Sequence, residues 1–347
     1  SFMWCRGRHR SDTGTAAGAA WARHTEAMLE SFDFDAAVQA PFRMQPGLRR
    51  VRDGAPQLTP LAPGSRHQRE KLAVLFALRD EAMVAAPGFD PEPALDALCM
   101  QAQAEHPGHF SFDGTRALAP VLGIGIDARG GVIASRAGAF GLGDELPRCL
   151  ESLPRAWRRA GLLALAFAED IAIVDGDTAR IPWLSVALPS RWAPREKVGR
   201  HFAEIHAPVA DNATLITAGE HLMRLVCKPE RWERFVWNVT EHPRLNAHPR
   251  TVERDAAWAG AEHPGAMPAA AWFRSERQSF VPLPAHRQAL FLIGVDVVPL
   301  AAAIDRPDRA RRLHDAIASM SPAVLAYRGL EVARGPLLAW LDERARG

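Results

Sequence analysis

The spacing of apolar and polar positions changes several times along this chain. Trp21, Met28 and Leu29 recur among alanines and predict an amphipathic helix over Ala16–Phe32. Pro41 to Pro63 is broken repeatedly by proline and glycine and reads as an extended, packed loop. Helices are predicted over Arg66–Ala85 and Pro91–Ala104, the second closed by His106-Pro107-Gly108. From Leu118 two apolar runs, "LAPVLGIGID" and "VIASRAGAF", flank an Ala-Arg-Gly-Gly turn and predict a hairpin. The glycines there do not form GxGxxG ahead of a helix, so they read as turn and sheet packing rather than a phosphate cradle. Strand-like segments follow at Leu162–Val174 and Arg180–Leu188, joined at Asp175-Gly176-Asp177. Helices Pro194–Ile205 and Ala213–Val226 come next, then strands Arg234–Thr240, Trp272–Val281 and Gln288–Val298. Helices Pro307–Met320 and Pro322–Arg344 close the chain.

Two strands, two helices and three strands predict an α+β fold: a PAS-like antiparallel five-stranded sheet with a helical layer, flanked by N- and C-terminal helices. The expected organisation is a tail and helix over 1–40, a helical and hairpin region over 41–155, the PAS-like core over 156–300 and terminal helices over 301–347. An antiparallel sheet covered by helices leaves an apolar slot of the kind a planar cofactor needs.

Composition narrows the function. With 42 basic and 40 acidic residues the net charge is +2, which gives no support to nucleic-acid binding. Cys5, Cys99, Cys149 and Cys227 form neither CxxC nor CxxCH, which argues against zinc, an iron-sulfur cluster or covalent heme and fits a reducing cytoplasm. No apolar run reaches the roughly 20 residues of a membrane span, and the arginine-rich start lacks the apolar stretch of a signal peptide. A cytoplasmic protein without membrane contact is expected.

Within the slot, "SRWAPREKVGRHFAEIHAPV" places Arg191, Arg195, Lys197 and Arg200 ahead of His201 and His206. Five positions on a helix turn the two histidines about 140° apart, so one at most serves a metal. His206 follows Ile205 and precedes Ala207-Pro208, which ends the helix; a neutral imidazole there would offer one nitrogen to iron and the other to a carbonyl, or simply cap the helix. His242, His248 and His263 lie in proline-containing loops whose spacing matches no zinc pattern. In "WFRSERQSF", alternation puts Arg274, Glu276 and Gln278 on one face with Trp272 and Phe280, and Ser275 and Arg277 on the other with Phe273. Such charges face water or line a polar pocket. No nucleophile elbow or reactive-cysteine context appears.

Taken together, "PFRMQPGLRRV", "FAEDIAIV", "LPSRWAPREKVGRHFAEIHAPVADN", "RFVWNVTEHPRL", "FRSERQSFVPLPAHRQALFLIGVDVVPL" and "LAYRGL" resemble the heme-dependent oxidative N-demethylase family, alpha-subunit type. The SRW, EK, IH, PV and ERQ pieces are the specific ones. The resemblance implies a heme-dependent monooxygenase whose PAS-like core holds heme b noncovalently, takes O2 as co-substrate and removes a methyl group from a small amine as formaldehyde. It implies His206 as axial ligand, Arg274, Glu276 and Arg277 as catalytic pocket residues, and Arg191 and Lys197 beside the propionates. Glu276 or the Trp237 face would receive the protonated amine. Electrons would come from separate flavin and iron-sulfur reductase components, whose fingerprints this sequence lacks. The competing expectations are a heme-PAS gas or redox sensor and a heme-free binding protein on the same scaffold.

Overall fold

The computed structural model describes residues 32–252, 258 and 263–347; the helix expected over Ala16–Phe32 falls outside them except for Phe32. Its strands are β1 Arg49–Arg50, β2 Met83–Ala85, β3 Ser111–Phe112, β4 Ala117–Ala119, β5 Ile124–Ile126, β6 Val132–Ala134, β7 Asp170–Asp175, β8 Arg180–Ser185, β9 Trp232–Thr240, β10 Trp272–Leu283 and β11 Gln288–Pro299. Its helices are α1 Phe34–Ala37, α2 Arg66–Ala77, α3 Arg79–Ala82, α4 Glu92–Glu105, α5 Glu145–Ser152, α6 Arg155–Ala166, α7 Phe202–His206, α8 Ala213–Val226, α9 Leu300–Ala303, α10 Pro307–Ala318, α11 Pro322–Arg328 and α12 Arg334–Arg346. None of the described helices is long and apolar enough to cross a membrane.

The α+β class is as expected, but the main sheet has seven strands rather than five. It is antiparallel throughout in the order β1-β9-β10-β11-β7-β8-β2, and β3 to β6 form a separate four-stranded sheet. The five expected strands are its contiguous centre; β1 and β2 are short additions at the edges.

Four element boundaries differ from the sequence expectation. Leu162–Ala166 ends helix α6 instead of starting a strand, because the whole stretch is buried and shows no face from which to read a period. The helix expected to Ala85 stops near Leu78, and Met83–Ala85 pairs with β8. The helix expected over Pro194–Ile205 is divided by Gly199, which has φ of +77°; a single 3-10 turn precedes it and α7 follows. The last helix is likewise divided at Gly329, whose left-handed φ of +70° caps α11.

Alternation along β9 to β11 gives the sheet two different faces. One carries Ile171, Ile173, Leu290 and Leu292 against α4, α5, α6 and the small sheet, and Trp237, Val239, Phe273 and Val298 against α10, α11 and α12. That face is the packed core. The other carries Ala172, Arg234, Val236, Asn238, Arg274, Glu276, Gln278, Phe291 and Ile293, and the connection between β8 and β9, including α7 and α8, lies over it. The start of that connection is anchored from below: Leu188 N donates to Asp170 Oδ2 at 2.7 Å, and the buried Lys71 ammonium lies 3.2 Å from Asp170 Oδ1. Lys71 also donates to the carbonyls of Phe167 and Glu169, so both charges are compensated.

Candidate functional site

Between this second face and its covering connection lies a cavity of about 330 Å³. Ala172, Leu184, Val236, Phe291 and Ile293 supply apolar walls, and Phe291 is stacked 4.8 Å from Phe280 by their cross-strand register. Its size falls within the usual range for small-molecule and cofactor sites.

His206 is the last residue of α7 and lines the cavity. Its Nδ1 lies 2.8 Å from the carbonyl of Phe202, and its ring stacks on that of Phe202 at 4.0 Å. A carbonyl only accepts, so Nδ1 carries the proton and Nε2 keeps its lone pair, without a protein partner. Burial holds the imidazole neutral by pushing its pKa below the ordinary histidine value; the Phe202 carbonyl opposes this, while Arg234 and Lys197 reinforce it. That is the state a metal-ligating imidazole requires. His201 is used differently: it is the N-cap of α7, its Nδ1 accepting from Ala203 N while Glu204 accepts from His201 N.

The charged lining is unequal. Arg191, Lys197, Arg234, Arg274 and Arg328 reach the cavity, and Glu276 is the single carboxylate among the lining residues. Arg274 is saturated: Nε donates to Ser190 Oγ at 2.7 Å, and its terminal nitrogens donate to the carbonyls of Arg244 and Leu188, each at 3.1 Å. Burial lowers its pKa to about 10, against the opposing charge of Glu276. Ser190 Oγ donates a hydrogen bond to Glu276 Oε1, and Gln278 donates to Oε2 at 2.8 Å. Glu276 is thus held by two neutral donors, with Arg274 4.0 Å away.

Arg191 has a left-handed φ of +60° and a bidentate contact with Glu241, both distances 2.7 Å, while its Nε and Nη1 remain buried without partners. Lys197 lines the same side, and burial depresses its pKa. Arg328 donates to the Trp237 carbonyl at 2.5 Å and lies over the Trp237 and Phe42 rings at 5.0 and 4.5 Å.

One expected site residue, Arg277, is placed elsewhere, and a second, Trp237, lines the cavity while packing into the core. Arg277 is on the packed face, where Nε and Nη2 meet Glu233 Oε2 at 3.0 and 2.9 Å and Nη1 meets the Pro56 carbonyl at 2.9 Å. Register separates it from Glu276, and its charge serves an ion pair behind the sheet. Trp237 borders the cavity, but its indole Nε1 donates to the Ala37 carbonyl and its ring stacks on Phe273 in the packed core. The histidine loops do not converge: among the described residues no group of three or more His, Cys, Asp or Glu side chains is arranged to hold a metal.

Residues missed in the sequence are Arg234, Asn238, Tyr327 and Arg328. The first two share the β9 alternation with Val236 and were readable from it. Tyr327 and Arg328 arrive from α11, far along the chain, and no period announces them.

The description "Haem-dependent oxidative N-demethylase, alpha subunit-like" belongs to a family model that matches residues 157–338, more than half of the chain. The chain belongs to this family. The match runs from α6 to α12 and so contains every strand from β7 to β11, the cavity lining except Met44, and most of the C-terminal helices. The fit to heme in this chain rests on its own side chains: an imidazole fixed through Nδ1 with Nε2 uncommitted, an apolar slot, and buried unpaired N–H donors on Arg191 suited to a carboxylate.

Proposed function

We propose that this chain is the heme-carrying subunit of an oxygenase that removes a methyl group from a small amine. The five central strands, in the order β8-β7-β11-β10-β9, form a PAS-like core within 156–300, and heme b lies in its cavity, held noncovalently by His206 Nε2. The observation that carries this reading is the His206 tautomer: the Phe202 carbonyl fixes the proton on Nδ1 in a cavity of a heme-dependent family. Arg191 and Lys197, on the covering connection with His206, would face the propionates. The bound heme would supply oxygen activation, drawing electrons from separate flavin and iron-sulfur reductase components.

The protein's own residues do the rest. Glu276 receives the protonated amine, and Gln278 and Ser190 hold the carboxylate in one orientation. Arg274 acts through Ser190 as a positioning residue. The walls of Val236, Phe291 and Ile293 exclude water from the N-methyl group. The overall reaction consumes O2, two electrons and two protons; one oxygen atom enters the methyl C–H and leaves as formaldehyde, and the other becomes water.

The test reconstitutes the protein with heme, supplies a surrogate reductase and O2, and measures formaldehyde across a panel of methylated amines. Amine-dependent formaldehyde is expected. Oxygen or carbon monoxide binding with no product and no amine-induced spectral change would return the heme-PAS sensor reading instead.

A further inference from the structure

Arg234 and Glu276 occupy the same face of adjacent strands, Arg234 opposite Gln278 and Glu276 opposite Val236. They are diagonal neighbours, close enough for Glu276 to act on the Arg234 charge, and the ion pair of Glu276 is with Arg274 rather than with Arg234. Glu276 is instead held by the neutral donors Ser190 and Gln278, with Arg274 4.0 Å away and itself bonded to Ser190 and to backbone carbonyls. The Arg234 guanidinium has no hydrogen bond or ion pair among the described residues, and its Nε is buried without a partner. The wall therefore presents one fixed anion and one uncommitted guanidinium side by side, with Val236 between them.

The other cations of the cavity are differently committed. Arg274 is saturated by Ser190 and by backbone carbonyls, and Arg328 is held by the Trp237 carbonyl and two aromatic rings. Arg191 and Lys197 belong to the covering connection, the same side as His206. Arg234 alone among these cations shares the sheet wall with Glu276 and has no protein partner. A bare dialkylammonium ion gains nothing from such a neighbour and is repelled by it. An ammonium with a carboxylate attached a carbon or so away satisfies both groups, because a guanidinium fork matches a carboxylate.

We infer that the substrate is zwitterionic, an N-methyl amino acid or a similar methylated amine bearing a carboxylate, with its ammonium on Glu276 and its carboxylate on Arg234. This rests on the demethylase reading above and adds the substrate class to it.

The test titrates heme-reconstituted protein with N-methylglycine and with dimethylamine, following calorimetric heat and the heme absorbance, in the parent and in Arg234→Gln, Arg234→Lys and Glu276→Gln. The parent should bind N-methylglycine roughly tenfold or more tightly than dimethylamine, the worth of one charge-assisted hydrogen bond. Arg234→Gln should abolish that preference with heme content unchanged, and Arg234→Lys should restore part of it. Glu276→Gln should weaken both ligands. Equal or better binding of dimethylamine by the parent would overturn the inference while leaving the demethylase reading intact. Loss of heme from Arg234→Gln with the preference retained would also overturn it, placing Arg234 on the cofactor. If neither amine, nor any other methylated amine, binds or yields formaldehyde, the demethylase reading itself fails.

Discussion

Replacing Arg274 with methionine should cost the fold more than it costs the chemistry. The guanidinium is 3% exposed and ties β10 to the start of the covering connection through Ser190 Oγ and the Leu188 carbonyl, and to the Arg244 carbonyl beyond β9. Hydrogen bonds to a charged group contribute about 1.5–3 kcal/mol each, but three on one side chain do not add independently. The better guide is the removal of one member of a buried charged set, about 3–5 kcal/mol, because Glu276 and the two carbonyls lose their compensation. Against a typical total of about 5–15 kcal/mol this is a large fraction. Urea unfolding of Arg274→Met, followed by circular dichroism, should show an unfolding free energy lowered by that amount, read as a lower midpoint at unchanged slope. Adding Glu276→Gln should recover part of the loss, since the orphaned carboxylate is then neutral. A loss below about 1 kcal/mol together with abolished turnover would refute the positioning role and make Arg274 a direct participant.

His206→Ala should lose the Soret band after reconstitution while circular dichroism is retained; an unchanged heme spectrum would remove His206 as ligand. Asp296 is buried and its pKa is raised to about 6 from the ordinary 3.8, burial outweighing the Val297 N–H and the charges of Arg66 and Arg274. Its folded form therefore binds more protons than the unfolded chain between those values, so this residue's contribution falls as pH rises through that window; Asp296→Asn should flatten the stability profile between about pH 4 and 6. Gly329→Ala should destabilise the chain by about 1–2 kcal/mol and weaken the Arg191–Glu241 pair, because φ is +70° there and a Cβ would stand 2.7 Å from Arg191 Nη1; equal urea midpoints would contradict this.

Strand β11 is largely apolar on both faces and was readable as a long apolar run after the turn at Pro284–His286, while alternation made β9 readable almost to its ends and put Arg274, Glu276 and Gln278 of β10 on one face. The error at Leu162–Ala166 has the opposite origin: every residue from Ala160 to Ala166 is buried, so helix and strand leave the same apolar signature. Gly199 and Gly329 were visible signals for the two broken helices, but only tertiary packing shows that each must adopt a left-handed turn. The site divides similarly. His206, Arg191, Lys197, Arg274 and Glu276 lie on two continuous segments and were found together. Alternation put Arg277 and Glu276 on opposite faces of β10, but the sequence does not say which face the connection covers, and that decides between the cavity and the Glu233 ion pair. Arg328 joins the cavity only because α11 docks against the open edge of β9, where its guanidinium caps the Trp237 carbonyl.

Several of the unpaired buried polar atoms gather on residues that line the cavity. Arg191 Nε and Nη1, Arg234 Nε, Asn238 Oδ1 and Arg328 Nε are buried there without hydrogen-bond partners; further such atoms lie elsewhere among the described residues, on Asp170, Trp232, His242, His248, Asp296, Arg309 and Arg334. An unsatisfied buried donor costs about 1–3 kcal/mol, so a pocket that served only to receive an apolar guest would carry this cost with no return. Four of the five atoms are cationic N–H donors, which select carboxylates over neutral ligands. A heme with two propionates and a substrate with a carboxylate are the two sources of such groups in the proposed reaction. Their assignments follow from the walls: Arg191 and Lys197 stand on the same side as His206, so the cofactor's carboxylates fall to them. Arg234 stands on the sheet beside Glu276, where a group attached to the amine would reach it. The ligand that orients the iron and the ligand that orients the substrate are then read by opposite walls, and the apolar slot between them need only fit the methyl group and the ring.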